Sequence, residues 1–173
     1  RSRSRRPRPP SAGEFRPRDE VEEDPTLKQI IPYILVRRGA EVLVLRRAAK
    51  QAEARLHDKV SIGVGGHINR EEGPMPGVVD RGLRRELHEE LTVRGEYSVR
   101  PVGWINDDSN PVGQVHFGLV YEVDAGRADV SIQETDRMSG SFTALGELEA
   151  LSEAMETWSR IVYENYLSEG GST

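Results

Sequence analysis

The stretch GGHINREEGPMPGVVDRGLRRELHEELTV, residues 65–93, decides the reading of this chain. Its second half sets Glu86, Glu89 and Glu90 at i, i+3 and i+4. In a helix those positions form one patch, and Val79, Leu83, Leu87 and Leu91 form the adjacent apolar stripe that docks on a sheet. Three clustered carboxylates repel one another, so a merely solvated face gains nothing from the grouping. A hard divalent cation, Mg²⁺ or Mn²⁺, wants oxygen ligands of this kind. The plain alternative is a charged, exposed helix face in a chain rich in Arg and Glu. The first half supplies the setting. Gly65-Gly66 closes a Gly-punctuated strand and lets bare backbone approach a ligand or metal closely. Glu72 then adds a further carboxylate, and together these features read as a metal-assisted phosphate site.

Outward from this stretch, local patterns predict a mixed α+β chain. Leu27 to Arg37 is apolar and β-branched and reads as a strand. Arg38-Gly39-Ala40 reads as a turn and Glu41 to Arg47 as the return arm of a hairpin. Ala48 to Lys59 is a loop or short helix, and Val60 to His67 a strand. A helix of about 15 residues ends at Leu91. Strands are expected at Tyr97 to Ile105 and Val112 to Val123, with a turn cluster between them at Asn106 to Pro111. Asp129 to Met138 reads as irregular, Phe142 to Leu151 as the start of a short helix, and Glu153 to Leu167 as an amphipathic helix.

Composition narrows the class. The 173 residues have an ordinary apolar content and suit one domain, without a second boundary or an internal repeat. No apolar run is long enough for a membrane helix. The absence of Cys excludes disulfides, Fe–S clusters, thiol catalysis and zinc sites built on Cys. With no secretory signal evident, the cytoplasm is the expected compartment. Charge is uneven. Residues 1–18 hold seven Arg and one acid, a balance of +6 in a chain of net charge −5, so the rest carries −11. This basic arm, with four Pro, reads as a solvated tail or as a strap on the acidic body or on a second subunit; the strap is the expectation, across a homodimer. A phosphate-seeking arm for nucleic acid or an anionic ligand is the less favoured reading, because the arm has one aromatic residue and no base-reading motif. The expected layout is an arm over 1–26, a domain over 27–168 and a tail over 169–173.

The central stretch resembles the Nudix box of the Nudix (MutT-like) hydrolases, G-x5-E-x7-R-E-U-x-E-E-x-G-U with U bulky and apolar. Gly66 and Glu72 match its start, Arg85-Glu86-Leu87-His88-Glu89-Glu90 its centre and Val93 its end. The hairpin Ile30 to Arg47, the strand Val115 to Val123 and the stretch Ser141 to Leu151 extend the likeness to about 140 residues. Leu56-His57-Asp58-Lys59 before Ser61 to Ile68 looks most like the subgroup known as predicted MutT-family phosphoesterases. There are departures. Twelve residues, not seven, separate Glu72 from Arg85, with Gly73-Pro74-Met75-Pro76-Gly77 as the surplus. Thr92 replaces the late Gly, so the helix exit must differ, and Val64 stands where many members have Pro.

The resemblance implies a Nudix-like α/β/α sandwich, with a mixed β-sheet between a catalytic helix and a C-terminal helix. It implies Mg²⁺ or Mn²⁺ held by Glu86, Glu90 and Glu89, with a backbone carbonyl of Gly66 or Gly65. Arg85 then orients a carboxylate, with Glu72 one candidate. The general base is Glu89, Glu72 or Glu134. Arg46 and Arg47, at a strand end, either bind phosphate or are simply solvated. His67 and Gly65 are candidates for touching a substrate phosphate. His88 points off the glutamate patch, and His57 and His116 have no partner visible in sequence. Tyr33, Trp104 and Phe117 are expected in the core rather than stacked on a nucleobase. The implied activity is hydrolysis of a nucleoside diphosphate linked to another moiety, or a related organic pyrophosphate, by water attack on phosphorus. The implied substrate is a small, nucleotide-like phosphorylated molecule. The alternative is a Nudix-fold module that binds a nucleotide or partner without hydrolysis.

Overall fold

A computed structural model describes residues 13–47, 59–74, 76–133, 135 and 138–168. In chain order the elements are α1 (Arg18–Val21), β1 (Gln29–Arg38), β2 (Glu41–Arg47), β3 (Val60–Ser61), β4 (Val64–Gly65), α2 (Val78–Glu90), β5 (Leu91–Arg94), β6 (Ser98–Ile105), α3 (Pro111–Gln114), β7 (His116–Asp124), β8 (Asp129–Ile132), β9 (Met138–Ala144) and α4 (Thr157–Val162). Short 3-10 segments cover Arg70–Glu72 and Leu145–Ala154, and α4 widens into a π turn over Tyr163–Leu167. None of the described helices is long and apolar enough to cross a membrane.

The main sheet runs β3-β2-β1-β7-β6, with β9 on β2 and β4 on β1. Among the described strands, only β1 and β7 pair in parallel. The expected hairpin is present, with Arg38 opposite Glu41 and Gly39 at φ +57° in the turn. Its arms then diverge. The segment expected as one strand over 60–67 instead fills the wedge in two pieces, Val60–Ser61 pairing with β2 and Val64–Gly65 with β1. That arrangement delivers Gly66 to the sheet's edge of the wedge, under α2.

Strand alternation divides the core between the two faces. Tyr33, Leu35, Val42 and Val44 meet Met155, Val162 and Leu167 on one side. Ile34, Val36, Leu43 and Leu45 meet Leu83, Leu87 and Leu91 on the other. This is the expected α/β/α sandwich. Leu83 and Leu87 are fully buried, each contributing about 1.5–3 kcal/mol of transfer free energy. That burial fixes which face of α2 is left for chemistry.

Several local expectations are corrected. Residues 112–115 are not strand, because Asn110 accepts from the Gly113 N–H and Pro111 opens the short α3. Asp129 to Met138 is not wholly irregular. Asp129–Ile132 forms β8 against β5, an antiparallel ribbon that holds Leu91–Arg94 straight after α2. Phe142 to Ala144 belongs to β9, and the helical turns start only at Leu145. The last helix begins at Thr157 rather than Glu153, since Met155 is extended and bridged to Val60. Trp104 is not core. It is 60% exposed on edge strand β6 and stacked on Phe117 with ring centroids 5.7 Å apart.

Candidate functional site

The site is built where α2 crosses the end of β4. α2 opens at Gly77 with φ +95°, without a side-chain cap. It ends at Leu91, which is extended at φ −131°, so the chain passes directly into β5. A left-handed residue is therefore not needed, and Thr92 stands in a strand pair with Ser131 instead. Gln133 closes this end of the helix. Its backbone N–H donates to the Glu90 carbonyl, and its side-chain amide donates to the His88 and Leu91 carbonyls. Glu134, a candidate base, lies outside the described residues, as do His57 and residues 1–12.

Arg85 is the centre of the acidic cluster. Its Nε pairs with Glu72 Oε1, and its Nη1 lies 2.9 Å from Glu86 Oε1 and 2.8 Å from Glu89 Oε2. Its Nη2 donates to the His67 carbonyl at 2.6 Å. Glu72 therefore reaches the cluster in spite of the longer spacing. The physical reason is Arg81, which the sequence reading missed. Its guanidinium donates to the carbonyls of Glu72, Pro74 and Pro76, tying the surplus loop to the first turns of α2. A cation one turn before Arg85, next to a loop rich in Gly and Pro, was the available signal.

Burial sorts the carboxylates. The side chains of Glu72 and Glu86 are 6% and 10% exposed, whereas Glu89 is 58% exposed. Burial pushes the Glu86 carboxyl above its ordinary pKa. Arg85 opposes this, and Glu89 and Glu90 add to it. Burial also works against the Arg85 charge, but Glu72 and Glu86 outweigh it and hold the guanidinium above its ordinary value. Four carboxylates against one guanidinium leave a local excess of negative charge.

Three observations bear on whether these residues suit a divalent cation. Glu72 Oε2 is buried with no hydrogen-bond partner, an uncompensated acceptor of the kind that a cation satisfies. At Gly66 a Cβ would stand 2.4 Å from Glu86 Oε1 and 2.5 Å from Oε2. Only a glycine lets the backbone, with its carbonyl, come so close to that carboxylate. Against these, no group of three or more His, Asp or Glu side chains is already gathered around one point among the described residues. The Arg85 guanidinium stands among the carboxylates instead. The donor set is hard oxygen throughout and fits Mg²⁺ or Mn²⁺ in chemistry.

Gly65 sits in β4 opposite Tyr33, and a Cβ there would collide with the Pro32 carbonyl. His67 follows Gly66. Its ring meets Arg18 and His116, and burial, then Arg18, then His116 push its pKa down to about 4. His88 points away from the cluster, to the Tyr97 hydroxyl at 3.2 Å. Arg46 and Arg47 are not brought into the cluster. Arg47 pairs with Glu156 at 3.8 Å, and Arg46 lines a cavity of about 260 Å³ with Val44, Thr143 and Leu151 on the face toward α4. Of the three aromatics, Tyr33 is buried, with its hydroxyl 2.8 Å from Ser159 Oγ.

No family model matches the chain. Protein YmaB of Bacillus subtilis (strain 168) is 38% identical over 155 residues, covering 85% of this chain and 75% of that protein. The crystal structure of Tm1382, described as a candidate Nudix hydrolase, superposes with a TM-score of 0.77 at 33% identity, over 90% of this chain and 79% of that one. A bifunctional NMN adenylyltransferase/ADP ribose pyrophosphatase of Francisella tularensis, solved with AMP and Mn, shares the fold at TM-score 0.58 and 16% identity. That match covers 83% of this chain and 42% of the bifunctional protein.

Proposed function

The chain belongs to the Nudix (MutT-like) hydrolase family, and on that footing we propose that it is a Mg²⁺- or Mn²⁺-dependent pyrophosphohydrolase. Its substrate is a nucleoside diphosphate linked to another moiety, or a related organic pyrophosphate, cleaved by water attack on phosphorus. The observation that carries this reading is the Arg85 cluster. One guanidinium organises Glu72, Glu86 and Glu89 beside the bare backbone of Gly66.

Glu86, Glu89 and Glu90 would hold the cation, with Glu72 and the Gly66 carbonyl as further oxygen donors close by. A bound divalent cation neutralises phosphoanhydride oxygens and makes water more acidic. Arg85 fixes the carboxylates. It spans from Glu72 to Glu89 and is itself anchored by the His67 carbonyl. Glu89, the most exposed of the Arg85-bound carboxylates, accepts the proton from the attacking water. Leu83 and Leu87 beneath the helix keep these side chains in register.

The experiment is a panel of nucleoside diphosphate derivatives, ADP-ribose among them, assayed with Mg²⁺ or Mn²⁺ for released monophosphate or phosphate. Glu86→Gln should lower turnover of the best substrate by orders of magnitude in a folded protein. A substrate bound with micromolar affinity but never cut by wild type would replace the hydrolase with a binding module.

A further inference from the structure

A second cation reaches the site from outside the helix. Phe15 packs with Val78, Val79 and Leu119, alongside Ile68 and Phe117, which fixes residues 13–18 on the body of their own chain. The α1 turn then sets Arg18 over His67, the residue after Gly66.

Elementary hydrogen-bond chemistry orders the contacts in this group. Arginine only donates, and a carbonyl only accepts. His116 Nδ1 lies 2.7 Å from the Val112 carbonyl, so it carries a proton and donates there. The Nε2 atoms of His67 and His116 are 3.2 Å apart and share a hydrogen bond. Arg18 Nη2 lies 2.8 Å from His67 Nδ1 and 3.2 Å from its Nε2, so the guanidinium rests over the face of the ring. The order runs from Arg18 through His67 and His116 to Val112. His67 is fastened twice, its ring to Arg18 and its carbonyl to Arg85.

An imidazole ring brings no negative charge, so it positions a guanidinium without cancelling its charge. Among the described residues the one carboxylate near Arg18 is Glu22, at 4.0 Å, and both side chains are more than half exposed. Such a contact is weak and screened. Arg85, by contrast, is taken up by three carboxylates. Arg18 is thus a cation held on the side chain that follows Gly66, with N–H groups to spare, and a guanidinium fork matches phosphate oxygens.

We propose that Arg18 binds phosphate oxygens of the substrate's phosphoanhydride, with His67 and His116 as positioning residues that aim it. The N-terminal segment is thereby part of the substrate site. This rests on the hydrolase reading above.

The test titrates the Mn²⁺-loaded full chain with methylenediphosphonate and with α,β-methylene-ADP by calorimetry, with Mn²⁺ affinity measured separately. Arg18→Gln should weaken both analogues about tenfold or more and leave Mn²⁺ affinity unchanged. Arg18→Lys should fall between it and wild type. His116→Phe should weaken them about threefold, and adding it to Arg18→Gln should cost nothing further, because the chain then has no guanidinium to aim. Analogue binding by Arg18→Gln within twofold of wild type overturns the proposal. So does a parallel loss of Mn²⁺ affinity, or additive losses in the double variant. A wild type that binds Mn²⁺ but neither analogue overturns the phosphoanhydride reading itself, and this inference with it.

Discussion

Replacing Gly66 by alanine probes how closely the backbone must approach Glu86. The new Cβ would stand 2.4 Å and 2.5 Å from the two carboxylate oxygens, where ordinary contact needs 3.4–4 Å. Its obstacle is the far end of a side chain, so the fold can adapt by moving the carboxylate. That retreat is about 1 Å, and a displacement of this size in a reacting constellation costs roughly 10²-fold in rate. The change in stability should stay within about 1 kcal/mol, a shift of roughly 2–4 °C in Tm for a chain of this size. Gly146→Ala is the control, because nothing lies within 4 Å of its Cβ position. Mn²⁺ titration, thermal melting and kcat/KM on the best panel substrate read the outcome. Gly66→Ala should lose Mn²⁺ affinity and most activity, while Gly146→Ala matches wild type. A Gly66→Ala protein with wild-type metal affinity and turnover would refute the close approach as a feature of the working site.

Other perturbations separate the site from its supports. Arg81→Ala frees the carbonyls of Glu72, Pro74 and Pro76. It should cost about 1–2 kcal/mol in urea unfolding and alter substrate preference more than Mn²⁺ affinity; an unchanged preference across the panel counts against the clamp. His67 has a folded pKa of about 4 against 6.5, so the unfolded chain takes up more protons between those values and stability falls as pH drops through that window. For a half-exposed ring the effect is on the order of 1–2 kcal/mol. His67→Gln should lose less stability than wild type between pH 7 and pH 4, and equal losses would contradict the shift. Glu122 is buried and meets Arg37 at 3.4 Å, Arg100 at 2.7 Å and the Tyr166 hydroxyl at 2.7 Å. Glu122→Ala should cost about 3–5 kcal/mol by leaving Arg37 unpaired, with the Glu86 cluster unaffected; a Tm near that of wild type would show the network to be incidental.

How much was legible depends on whether the signal was local. The β1–β2 hairpin and α2 carry their own periodicity and turn chemistry, and both formed as read. The glutamate patch was legible for the same reason, since helical spacing alone puts Glu86, Glu89 and Glu90 on one side. The β5–β8 ribbon was not, because four-residue strands declare themselves only through a partner about 40 residues away. Glu72 looked misplaced by the surplus loop. Its return to Arg85 depends on Arg81 reaching back to three carbonyls, which spacing cannot reveal. The contacts of Arg18 and His116 with His67 span 49 residues in each direction. Lone histidines and an arginine in a basic arm give no local sign of such a meeting. The arm was expected to lie on protein, and its described part does so on its own chain through Phe15 and Arg18.

The most direct measurement of the catalytic claim is hydrolysis in ¹⁸O-water with Mg²⁺ or Mn²⁺, followed by mass spectrometry of both products. Attack on phosphorus places one ¹⁸O in a phosphate group of a product, and the labelled product should vanish by orders of magnitude in Glu86→Gln. Label in a non-phosphate product, or labelled phosphate at an undiminished rate in Glu86→Gln, would contradict a phosphoanhydride hydrolase built on the carboxylates of α2.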